Sequence, residues 1–116
     1  MHYLGLVFVD ERTASAVETQ LENNGKHWDW YRIGGRWAGW FGGAEGMKKR
    51  ETDNGFNFAT EENVELDSIQ AKDFGARALP AFFVVDYEWI GRDEKRFRKA
   101  LADNPEAWLV VVDAHN

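Results

Sequence analysis

The chain has 116 residues, of which 44% are hydrophobic and 15% aromatic, with a net charge of −6 and no cysteine. One domain with a single core is expected at this size, and wholesale disorder, disulfides, thiolate metal sites and cysteine nucleophiles are excluded. The negative charge disfavours binding to a nucleic-acid backbone and leaves room for a basic protein partner.

Tyr3 to Val9 is a nearly continuous apolar run, which predicts a buried strand; the preceding Met1 and His2 carry no basic segment of the kind that opens a signal peptide. No run approaches the roughly 18 apolar residues of a membrane span, so no membrane partner is expected, and the absence of cysteine suits a cytoplasmic protein. Thr13 is an N-cap candidate, followed by Ala14, Val17 and Leu21 on one helical stripe, with Gly25 placed to end the helix. A polar stretch of about residues 42 to 78 predicts an irregular insertion. Within it Thr52 to Gly55 is a turn signal, Phe56 and Phe58 suggest a short strand, and Ser68 to Lys72 can form one helical turn. Leu79 to Tyr87 predicts a second strand, and Asp93 caps a second helix with Phe97, Ala100 and Leu101 inward. Asn104 and Pro105 end that helix, and Trp108 to Val112 predicts a third strand. The expectation is one α+β domain over residues 1–116: a ferredoxin-like sandwich with a mainly antiparallel sheet. Two helices would lie on one face, with one or two extra strands drawn from residues 36 to 59.

Between the first helix and the insertion, His27 to Phe41 holds four of the six tryptophans, Trp28, Trp30, Trp37 and Trp40, with Tyr31, Arg32, Arg36 and the glycines Gly34, Gly35 and Gly39. Flat rings, guanidinium groups and open backbone suit recognition of a planar or anionic partner. On an extended backbone Trp28 and Trp30 share one side and Asp29 takes the other, with Arg36 as its natural ion-pair partner. The Gly34-Gly35-Arg36 run is a candidate anion nest, although neither a Walker sequence nor a dinucleotide fingerprint accompanies it.

Candidate chemistry elsewhere is sparse. Asp113 and His115 fall on the same side of a strand, yet no ligand spacing supplies a third donor, so no metal or cofactor is assigned. Ser15 and Ser68 lie outside any nucleophile elbow, and no catalytic residue is assigned.

Trp28 to Trp37 resembles the WDWY-x-IGGRW signature of small uncharacterised bacteriophage and bacterial proteins. Val111 to His115 is similar to their VVD-x-H ending, and Tyr87 to Arg92 to their acidic, aromatic middle region. The resemblance implies that Asp29, Tyr31, Gly34, Gly35, Arg36, Trp37, Asp113 and His115 meet at one site, and it favours interference with host proteins or defence signals. Ala114 stands where other members carry a cysteine, so no thiol role transfers.

The resulting expectation is a non-enzymatic binding protein for a nucleotide-like or other planar anionic ligand. Its site would be Trp28, Asp29, Trp30, Tyr31, Arg32, Gly34, Gly35, Arg36, Trp37, Asp113 and His115. Two alternatives stand beside it. One is an acidic inhibitor that meets a basic host protein through Glu61, Glu62, Glu65 and Asp67, as anti-CRISPR-like proteins do. The other is a small enzyme using Asp113 and His115.

Overall fold

Strand β1 (His2–Val9) starts the chain and sits near the middle of a six-stranded sheet. The computed structural model describes residues 1–43, 45, 46 and 68–116. Helix α1 (Ala14–Leu21) follows, then β2 (Trp30–Ile33), β3 (Ser68–Gln70), β4 (Phe82–Val85), β5 (Glu88–Gly91), helix α2 (Glu94–Asp103) and β6 (Trp108–His115). Thr13 caps α1 by accepting the amide of Ala16, and Asp93 caps α2 by accepting the amide of Arg96. Both caps are the ones that the sequence predicts. Gly25 is not a helix-ending glycine: it opens a short 3₁₀ turn, Gly25–His27.

The sheet order is β2-β6-β1-β4-β5, with β3 also paired to β6. All neighbours are antiparallel except β1 and β4. The α+β class and the mainly antiparallel sheet hold. The strand order departs from a ferredoxin-like sandwich, in which a further strand separates the two parallel ones. Here β1 and β4 are direct parallel neighbours, and β5 lies at the edge.

The two helices do not share a face. Ala14, Val17 and Leu21 of α1 pack with Val7, Val9, Val84, Val110, Val112 and Ala114. Phe97, Ala100 and Leu101 of α2 pack with Leu6, Phe8, Phe83, Leu109 and Val111. Alternate residues of the same strands feed the two cores, which is why β1 and β6 read as unbroken apolar runs. Chain path supplies the reason for the opposed helices. The first crossover runs from β1 over β6 to the parallel β2, and the second from β5 over β4 and β1 to β6. Seen from one side these travel the same way across the sheet on strands of opposite direction, so right-handed connections put them on opposite faces. The single-face expectation took α1 to lead straight to β4.

Among the described residues the extra strands are β2 and β3, which flank the expected range of residues 36 to 59; residues 44 and 47–59 of that range lie outside the described residues. Within that range, Gly35–Trp37 and Trp40–Gly42 form 3₁₀ turns. The end of the insertion is ordered: Ser68–Gln70 is a strand, Ala71–Asp73 a 3₁₀ turn, and Ala71 and Phe74 are buried in the α2-side core. The turn at Thr52, the Phe56/Phe58 strand and the acidic run from Glu61 to Asp67 lie outside the described residues. The predicted strand Leu79–Tyr87 ends early. Asp86 and Tyr87 both take positive φ, making a two-residue hairpin into β5. No glycine marks that turn, so the sequence hid it. Gln20 and Asn24, at the end of α1, hold it by accepting the Tyr87 amide and donating to its carbonyl. Among the described residues, no helix is long and apolar enough to cross a membrane.

Candidate functional site

Asp113 is fully buried, and β6 turns it toward the α2 side of the sheet. A carboxylate taken out of water needs partners for its oxygens. Oδ2 accepts the Arg36 amide at 2.9 Å, and His2 Nδ1 donates to Oδ1 at 2.8 Å. Glycine makes the first of these contacts possible. Gly35 has φ +55°, and a Cβ built on it would lie 2.5 Å from Asp113 Cβ and 2.7 Å from Oδ2. The Gly34 amide donates to the Val111 carbonyl at 2.7 Å, which ties the turn to β6. The predicted nest is therefore built but filled, and the anion in it is the protein's own Asp113.

His2 continues the network outward. Its ring meets His115 edge-on at 5.0 Å and Trp30 edge-on at 5.5 Å. Trp30 and His115 stack in parallel, with centroids 4.9 Å apart and planes 4° apart. They are register partners across β2 and β6, as are Arg32 and Asp113, so all four side chains leave the sheet on one side. Trp30 remains 39% exposed on its edge strand. The Asp29 carboxylate is 3.7 Å from His115 Nδ1, close enough for electrostatic attraction and too long for a hydrogen bond. Accordingly, His115 Nδ1 and Trp37 Nε1 are buried without a hydrogen-bond partner among the described residues.

Three expectations change. Asp29 faces His115, and no Asp29–Arg36 pair forms. Trp28 and Trp30 do not share a side: Trp28 packs on the α1-side core beside Tyr31 and Phe82, because β2 begins only at Trp30 and the 3₁₀ turn before it breaks the alternation. Asp113 and His115 share a side as expected, but Asp113 bonds to His2, not to His115. The site thus brings together Asp29, Trp30, Arg32, Gly34, Gly35, Arg36, Asp113 and His115. Trp28 and Tyr31 belong to the opposite face, and Trp37 and Trp40 are half-buried against the α2-side core. His2 was missed. Its signal was its place two residues before Leu4, Leu6 and Phe8, in phase with the inward positions of β1.

His2 Nδ1 is committed to Asp113, which fixes the ring against the corner. No set of three histidine, aspartate or glutamate side chains among the described residues converges to hold a metal ion. Set against family models, curated proteins and solved structures, the chain finds no match in any of the three.

Proposed function

We propose that this protein is a non-enzymatic binding module whose Trp30–His115 corner receives a planar anionic ligand, such as a nucleotide. One observation carries the reading: Trp30, alone among the tryptophans in being exposed, lies flat on His115 at the sheet edge, with Arg32 two residues along on the same side. Stacking a base on an aromatic ring contributes about 1–3 kcal/mol, and guanidinium or protonated imidazole groups satisfy phosphate oxygens. The Asp113–His2 bond braces one wall before any ligand arrives, which lowers the ordering cost of binding.

A thermal-shift titration with AMP, ADP and a cyclic dinucleotide tests the reading. Stabilisation at millimolar nucleotide that disappears in Trp30→Ala is expected. Absence of any shift in the wild type, or an equal shift in Trp30→Ala, removes the corner as a nucleotide site. The resemblance to small phage proteins extends the proposal to a role in intercepting host signals.

A further inference from the structure

The opposite side of β2 faces a second and differently built concavity. Helix α1 turns Ser15, Glu18, Thr19 and Glu22 outward at spacings of three, four and seven, which places them on one stripe. Across from that stripe stand Trp28 and Tyr31. Leu21 and Gly25 complete a cleft of about 410 Å³, within the range of small-ligand pockets. The two rings meet edge to face, with centroids 5.7 Å apart, and both rest on the α1-side core. They are therefore firm walls, held by packing. Lys26 follows Gly25 in the same turn but does not line the cleft, and no other basic residue among the described ones does so. Tyr31 keeps its proton to higher pH than usual, through burial first and then the charge of Glu18, so the field of that carboxylate reaches into the cleft.

Aromatic walls, two carboxylates and two hydroxyls at the rim suit a cation carried on an apolar stem. The ring faces attract the charge, the stem covers Leu21, and the carboxylates accept the N–H groups. An anion would meet Glu18 and Glu22 instead. We propose that this cleft is a docking site for an arginine or lysine side chain presented by a basic partner protein. The net charge of −6 supports that source, because it draws a basic polypeptide from a distance more strongly than it draws a single free amine. The inference stands apart from the corner reading: it concerns another face, another charge and other residues.

Titration of the full chain with a blocked Gly-Ser-Arg-Ser-Gly peptide, followed by the indole N–H signal of Trp28 in NMR, tests it. The same peptide with citrulline in place of arginine and free butylguanidinium serve as comparisons. The arginine peptide is expected to shift the Trp28 signal saturably, and the citrulline peptide to leave it in place. Glu18→Gln with Glu22→Gln should weaken binding about tenfold, and added salt should weaken it further. Gly25→Leu supplies an independent plug, since a Cβ there meets no atom within 4 Å; it should abolish the shift while leaving the Tm unchanged. Equal response to citrulline, or a response that survives Gly25→Leu, overturns the site. Butylguanidinium bound as tightly as the arginine peptide, or more tightly, overturns the protein partner in favour of a small free cation. None of these outcomes involves Trp30, so nucleotide binding at the corner stands or falls separately.

Discussion

The two sides of β2 show how one short edge strand can serve two purposes. On the α2 side, Trp30 and Arg32 join a corner whose central carboxylate, Asp113, is already hydrogen-bonded by His2 and by the Arg36 amide. On the α1 side, Tyr31 and the neighbouring Trp28 line a cleft whose carboxylates, Glu18 and Glu22, stay in water at its rim. The first region spends its polar groups on holding itself together and offers a ring. The second leaves its charges available. A density of aromatic and charged residues in the sequence therefore says little about which groups remain for a ligand; the bonds that they already make decide that.

If the corner is internally braced, breaking its brace should cost the most. Asp113→Ala leaves the Arg36 amide and His2 without their buried acceptor, and a loss of about 4 kcal/mol is expected in urea unfolding. A loss below about 1 kcal/mol would show that the network is not structural. Gly35→Ala comes next, at about 3 kcal/mol, because the added methyl meets Asp113 Cβ at 2.5 Å in a backbone conformation with φ +55°. Its unfolding midpoint should fall accordingly. An unchanged midpoint would mean that the turn and β6 are not clasped as described.

The tryptophans should separate the two regions by stability against binding. Trp28→Ala removes a half-buried ring from the α1-side core and should cost about 2 kcal/mol. Trp30→Ala removes an exposed ring and should cost only about 0.5 kcal/mol, while eliminating the nucleotide-dependent rise in Tm. Equal destabilisation by the two variants would contradict their assignment to core wall and open platform.

Local rules carried the sequence reading a long way. Both helix caps and the inner stripes of both helices follow from spacing and hydrogen-bond chemistry alone. The meeting of the glycine turn with Asp113 has its cause in the missing Cβ of Gly35, a glycine that is visible in the sequence while its partner is not. What stayed hidden depends on long-range pairing. The short strand β2 leaves no clear periodic signal in a segment crowded with rings, and its position beyond β6 decides the face that α1 covers. For the same reason the phase of His2 with Leu4, Leu6 and Phe8 gave its side of the sheet but not its partner, which only the β1–β6 register supplies, where it lies opposite His115.

The smallest expected effect distinguishes the regions by pH. His27 stacks on Trp89 with centroids 4.0 Å apart and planes 7° apart, on the α1 side of the sheet. Burial first, and the charge of Lys26 second, hold its pKa below the usual value of 6.5. The unfolded chain therefore takes up the proton before the folded one does. Above pH 6.5 the group makes no difference to stability; as the pH falls below 6.5 the folded state loses ground, until the folded His27 is itself protonated. His27→Phe keeps a ring on Trp89 and removes the titration, so urea midpoints measured at pH 7.5 and 5.5 should fall less in the variant than in the wild type. Lys26→Ala should raise the folded pKa slightly and reduce the acid loss by a smaller amount. Identical acid sensitivity in the wild type and His27→Phe would place the pH response elsewhere in the chain.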